Sequence, residues 1–103
     1  MIKVTVLYPA AEGARFDMDY YLASHMPLVE SKMTGVIKGW TVDQGLNAGA
    51  PGTPPPFEVM THMTFDDFDA FAAAFGEHAG EIMTDIPNFT DISPQIQVSE
   101  VRA

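Results

Sequence analysis

The order of the periodic segments constrains the fold of this chain most strongly. Residues 2–8 and 57–65 alternate between apolar and polar side chains, and 36–46 and 95–101 also have strand character. Helical periodicity covers 16–33 and resumes after Asp66-Asp67. The order strand, helix, strand, strand, helix, strand predicts an α+β, ferredoxin-like βαββαβ sandwich, with a four-stranded antiparallel sheet and two helices on one face. We expect 1–103 to form a single domain.

The second face of such a sheet would have no helices on it. Thr5, Leu7, Met60, His62, Gln97 and Ser99 are examples of the residues that the strands place there. This mixture is too apolar to face water comfortably, so a homodimer through the sheet face is expected.

The charges exclude one large class of partners. The chain has a net charge of −9, and no lysine or arginine occurs between Lys38 and Arg102. Nucleic acid is therefore excluded as a partner, because backbone binding needs cations, and phosphate-rich cofactors are disfavoured. We interpret the acidic residues as a solvated face.

Composition and segment lengths bound the remaining classes. The chain has no cysteine, which excludes disulfides and thiolate metal sites. No apolar segment is long enough to span a membrane, and residues 1–8 do not resemble a secretory signal. We therefore expect a cytoplasmic protein without membrane contacts.

His25 is the main candidate for a functional residue. At about 100° per residue it lies near the centre of an apolar stripe on the first helix, one turn after Tyr21. One interpretation is a core histidine with satisfied hydrogen bonds, and the other is an acid or base that faces a pocket. Pro27 predicts a kink or break close to His25 and Met26.

Further candidates come from both helices and two strands. Tyr8 and Trp40 either line the same cavity as His25 or pack in the core. Helical periodicity places Phe68, Phe71, Phe75 and His78 in one apolar arc of the second helix. We expect Phe71, Phe75 and His78 to contribute to ligand binding. His78 and Glu81 have i, i+3 spacing, but two ligands without a partner pair predict no metal site.

The sequence resembles the EthD family, which belongs to the dimeric α+β barrel superfamily. The most specific match is in the first helix. The matching segments are Tyr8-Pro9, Phe16-Asp17-Met18-Asp19-Tyr20-Tyr21, His25-Met26-Pro27-Leu28, Lys38-Gly39, Thr64-Phe65-Asp66, Phe71 with Ala74-Phe75, and Ile86-Pro87-Asn88.

The resemblance implies a homodimer whose two sheets form a barrel, with a pocket between helices and sheet in each subunit. The family is named for ethyl tert-butyl ether degradation, beside a cytochrome P450 system. Superfamily relatives include polyketide cyclases, cofactor-free oxygenases and haem-degrading enzymes.

These implications leave three functions open. The first is a cofactor-free acid/base enzyme, of cyclase, lyase or oxygenase type, acting on a small apolar, aromatic or cyclic carbonyl compound. In this enzyme His25 would be the base or acid and Tyr21 would orient it. The second is a non-catalytic binding or accessory protein of an oxidative pathway. The third, haem binding through His25 or His78, is disfavoured because basic residues for the propionates are few. A nitrogen of His25 that is free to reach a ligand would favour the first.

Overall fold

The computed structural model describes residues 1–103 and follows the predicted order of elements. A four-stranded antiparallel sheet has the strand order β2-β3-β1-β4. The α+β, ferredoxin-like prediction is confirmed. The elements are β1 (Ile2–Pro9), α1 (Met18–Tyr20), a π-helical turn (Tyr21–His25), α2 (Met26–Lys32), β2 (Gly39–Gln44), β3 (Phe57–Phe65), α3 (Phe68–Asp85), a 3-10 turn (Ile86–Asn88) and β4 (Gln95–Glu100).

The core lies between the helices and one face of the sheet. Successive side chains of a strand point to opposite faces, so every second residue of β1 and β3 faces the helices. Val4 pairs with Met63 and Tyr8 with Val59, and all four side chains are buried. The opposite face, which includes Leu7 paired with Met60, is only half-buried in the single chain.

The first helical segment is interrupted at the predicted place. Asp17 caps α1 by accepting a hydrogen bond from the backbone of Tyr20. The Met26 N–H then reaches back to the Tyr21 carbonyl, which is the π-helical pattern, and α2 follows with Pro27 in its first turn. Pro27 has no backbone N–H, so it cannot continue the α-helical hydrogen-bond pattern. The wider π-helical turn before it accommodates the missing hydrogen bond.

Two sequence-based expectations about local structure were wrong. The second strand begins at Gly39 and not at 36, because the backbone N–H groups of Val36 and Ile37 both donate to the Met33 carbonyl and close a turn. Phe68, expected in the apolar arc of the second helix, is 51% exposed. It is the first residue of α3 after the Asp67 cap, where the helix projects beyond the core.

The segment after α3 packs onto the body of the protein. Phe89 is fully buried, and its carbonyl accepts a hydrogen bond from the backbone of Asp17. Thr90 forms an isolated β-bridge with Phe16. These contacts hold the end of α3 against the start of the first helical segment. No helix in the fold has the length and apolarity needed to cross a membrane.

Candidate functional site

A small apolar cavity lies between the helical layer and the sheet. Its volume is about 50 Å³, and 12 of its 15 lining residues are hydrophobic. Four methionines, Met26, Met33, Met63 and Met83, are among them. Unbranched methionine side chains adapt to differently shaped ligands, so this lining is deformable.

His25 lines this cavity and is held firmly on three sides. It is the last residue of the π-helical turn, and its ring stacks on Tyr21 with centroids 5.2 Å apart and an interplanar angle of 17°. The Phe89 ring lies 4.5 Å away, centroid to centroid. Nδ1 is 2.9 Å from Oδ2 of Asp85, at the end of α3. These contacts fix the orientation of the imidazole.

Asp85 is the centre of a small hydrogen-bond network. Its Oδ1 accepts from the Tyr20 hydroxyl at 2.6 Å and from Nδ2 of Asn88 at 2.9 Å. Burial raises the pKa of Asp85, but the hydrogen bonds from Tyr20, Asn88 and His25 outweigh it and lower the pKa below its usual value. Asp85 is therefore a carboxylate at neutral pH.

The carboxylate of Asp85 selects one tautomer of His25. An acceptor at Nδ1 places the proton of the neutral ring there and leaves the lone pair on Nε2. Burial lowers the pKa of His25 and outweighs the opposite effect of Asp85, so the neutral ring is favoured.

Nε2 of His25 has no hydrogen-bond partner in the protein. Among the side-chain hydrogen bonds of His25, only the one from Nδ1 to Asp85 is present. Every fully buried side-chain nitrogen or oxygen of the chain has a hydrogen-bond partner. Nε2 of His25 has no such partner in the chain, and the imidazole is among the groups that line the cavity. One of the two ring nitrogens of His25 is therefore not committed to a protein group.

Tyr8 and Tyr21 supply the aromatic wall beside His25. The Tyr21 hydroxyl shares a hydrogen bond of 2.6 Å with Oγ1 of Thr61 on β3. The Tyr8 ring packs edge-on against Tyr21, with centroids 5.9 Å apart. Burial raises the pKa of both tyrosines, so their hydroxyls stay protonated at neutral pH.

The structure brings together four of the seven predicted site residues, namely Tyr8, Tyr21, His25 and Phe75. Trp40 is not among them. Of its two alternatives, the structure shows packing against the core and not a place in the cavity lining. β2 is an edge strand beyond β3, and there the indole Nε1 donates to Oε2 of Glu30 at 2.6 Å, in a separate surface groove.

Phe71 and His78 also lie outside the cavity, which corrects the expectation for both. Phe71 is a core residue whose ring lies 5.0 Å from that of Phe65, centroid to centroid. The residues of α3 that line the cavity lie on one flank of the helix. His78 lies toward the other flank, where Glu81 pairs with Lys32 of α2 at 2.9 Å.

Sequence reasoning missed Asp85, which it counted among the solvated acidic residues. One signal was present, because helical spacing from Ile82 places Asp85 near the apolar arc of α3. The side chain of Asp85 is 14% exposed.

The structure shows no group of residues suited to a metal ion. No three His, Asp or Glu side chains converge as a metal site would require. A cavity of about 50 Å³ is also far too small for a porphyrin.

Comparison with known proteins agrees with the fold and the motifs. The family model described as the EthD domain matches residues 13–93. An EthD-like protein from Ralstonia eutropha is 45% identical, with a TM-score of 0.95 over 99% of this chain and 92% of that one. No curated protein matches the sequence.

Two more distant structures share the fold. An ethyl tert-butyl ether degradation family protein from Bacillus halodurans is 23% identical, with a TM-score of 0.66 over 98% of each chain. A Bacteroides fragilis protein, described as dimeric and of ferredoxin-like fold, is 21% identical, with a TM-score of 0.52 over 97% of this chain and 95% of that one.

Proposed function

Because the chain belongs to the EthD family, we propose that it binds a small apolar carbonyl compound in the helix–sheet cavity and acts on it as a cofactor-free acid/base enzyme. One observation carries this proposal. Asp85 holds Nδ1 of His25, Nε2 has no hydrogen-bond partner in the chain, and the imidazole lines an apolar cavity. This arrangement is a base with a fixed tautomer in surroundings of low polarity.

The proposed reaction begins with proton abstraction next to a carbonyl group. A proton leaves the carbon, its electron pair forms an enolate, and the lone pair on Nε2 accepts the proton. The ring becomes an imidazolium, which the Asp85 carboxylate stabilises across the 2.9 Å hydrogen bond. The apolar lining strengthens this attraction because it excludes water. The same proton can return to a different atom, as a cyclase or lyase requires.

Tyr21 orients the base in this proposal. Its ring stacks on His25, and its hydroxyl is held by Thr61 at 2.6 Å. Tyr8 and Phe75 contribute apolar contacts to the ligand, since both line the cavity.

The alternative is a non-catalytic binding or accessory protein of an oxidative pathway. The cavity lining favours it, because 12 of the 15 lining residues are hydrophobic and such a surface binds an apolar ligand without any catalytic group. Both candidates use the same cavity and differ only in whether His25 moves a proton.

Deuterium exchange of cyclopentanone in D2O, followed by NMR, separates these candidates. We expect the protein to accelerate exchange of the hydrogens next to the carbonyl, and we expect His25→Ala to lose about a hundredfold or more of that acceleration. His78→Ala is the matched control and should retain it, because His78 lies outside the cavity and away from the open face of the sheet. Binding without exchange would favour the accessory protein, and neither binding nor exchange would overturn both candidates.

We also propose that the chain forms a homodimer through the open face of the sheet. Two observations support this. The face carries half-buried apolar residues such as Leu7 and Met60, and the B. fragilis protein of the same fold is described as dimeric. A second copy would remove these side chains from water.

A further inference from the structure

An apolar strip on β4 is left uncovered by the helices. β4 is an edge strand that pairs with β1 alone. Ile96 pairs with Val6, and Val98 pairs with Val4, so both β4 residues are on the helix side of the sheet. Val4 is only 1% exposed, whereas Val98 is 41% and Ile96 49% exposed. The helical layer therefore ends over β1.

This strip is continuous with the cavity at His25. Ile96 and Val6 line the cavity and are neighbours in the sheet. Met83 lines it from α3 and is 45% exposed, so it lies at the rim. An apolar path thus runs from the enclosed space, past Ile96, to Val98 on the surface. The lining includes no Asp, Glu, Lys or Arg, in a chain with 14 acidic residues.

The enclosed space is too small for a whole ligand of ordinary size. A site for one water molecule needs about 10–15 Å³, so a cavity of about 50 Å³ holds only a few such groups. A ligand that presents the carbon next to its carbonyl group to Nε2 of His25 must extend outward if it is any larger. The uncovered strip is the apolar surface that continues from this cavity.

We propose that the strip formed by Ile96 and Val98 is a subsite for the alkyl chain of an elongated ligand. The carbonyl head occupies the cavity at His25, and the chain lies along β4. This inference rests on the proposed function and specifies its substrate class as alkyl-substituted carbonyl compounds.

The strip also sets a maximum length for the chain. β4 rises about 3.4 Å per residue, so Ile96 and Val98 together provide contact for about six methylene groups. Glu100 follows on the same face of β4, paired with Ile2, and its carboxylate ends the apolar surface. Longer chains should gain nothing further, because an apolar chain does not bind more tightly by approaching a charged group in water.

A series of 2-alkylcyclopentanones, with side chains of one to ten carbons, tests the subsite. We expect affinity, measured by NMR titration, to rise about two- to fourfold per methylene and to level off near six or seven carbons. Val98→Asp should flatten this rise while binding of cyclopentanone itself is unchanged. Val98→Thr, of nearly the same shape, should weaken the rise partially and serves if the charged variant does not fold.

Val101→Asp is the matched control, because Val101 is a 37% exposed valine beyond the end of β4. It should leave the dependence on chain length unchanged. Affinity that does not depend on chain length, or that Val98→Asp does not alter, overturns the inference even if cyclopentanone exchange proceeds. If the unmodified protein does not accelerate proton exchange but its affinity still rises with chain length as expected, the proposed function is overturned and the subsite is supported. A Val98→Asp variant that changes the oligomeric state would assign the strip to a second copy instead.

Discussion

His25 and His62 each pair with an aspartate, but they lie on opposite faces of the sheet. Nδ1 of His25 is 2.9 Å from Asp85, and the two side chains are 5% and 14% exposed. Nε2 of His62 is 3.2 Å from Asp43, and those side chains are 26% and 62% exposed. The first pair is therefore enclosed, while the second is in contact with water in the single chain.

The two rings also differ in how many nitrogens the protein uses. Nδ1 of His62 is 3.0 Å from Oγ1 of Thr5, so both of its nitrogens have partners. In His25 only Nδ1 has a partner, Nε2 is free of one, and the ring lines an apolar cavity. A histidine–aspartate pair is thus not enough to indicate a functional site. The free nitrogen and the low polarity around it distinguish His25.

The largest expected effect concerns the face that carries His62. Leu7→Glu places a charge on the open face, on the interior strand β1, and should dissociate the proposed dimer, because an unpaired charge in a subunit interface is costly. Sedimentation of the unmodified protein at micromolar concentration should give twice the chain mass, and the variant should give the mass of one chain. Leu22→Glu, at a 45% exposed helical position, is the control and should remain dimeric. An unmodified protein of single-chain mass would contradict the proposed interface.

The next effect compares the two aspartates. Asp85→Ala leaves His25, Tyr20 and Asn88 without their shared acceptor and should lower the free energy of unfolding by about 2–3 kcal/mol. Asp43→Ala breaks an exposed pair and should cost less than about 1 kcal/mol. Urea titration measures both. Equal losses would mean that the enclosure of the first pair has no energetic consequence.

The smallest effect is the pH dependence of stability. Burial lowers the pKa of folded His25 below its ordinary value of 6.5, so the unfolded chain binds that proton more readily. The contribution of neutral His25 to stability is therefore present above pH 6.5 and declines as the pH falls toward the lower folded pKa. Urea titrations between pH 7.5 and about pH 5 should show a smaller decline for His25→Gln than for the unmodified protein. His62→Gln should keep the His25-dependent part of the decline, and identical curves for all three proteins would contradict the assignment.

The sequence predicted the fold well because strand and helix periodicities are local signals. The burial of alternate residues in β3 and the interruption beside Pro27 follow from short stretches of chain. The position of Trp40 depends on the sheet order, which places β2 at an edge. That order is a tertiary property, so an aromatic residue in a strand did not reveal which side of the cavity it would occupy.

Only the part of the candidate site that lies within one helical segment could be predicted from the sequence, because contacts between distant segments depend on the tertiary fold. Tyr21 and His25 are one turn apart, and helical spacing alone places them on one face. Asp85 is 60 residues further along the chain, and its role depends on how α3 ends against the first helical segment. Among many acidic residues, its spacing from Ile82 was a weak signal, because exposed aspartates at the end of a helix are common.

The π-helical turn changes the rotation of α2 about the helix axis relative to α1. An i to i+5 turn contains one residue more than an α-helical turn, so α2 is rotated by about 100° relative to a continuous α-helix. Pro27 has no N–H with which α-helical pairing could resume through that position. The direction in which the His25 side chain points therefore depends on the number of residues between Asp17 and Pro27. Insertion or deletion of one residue there would turn the imidazole away from the cavity while leaving every side chain of the site chemically intact.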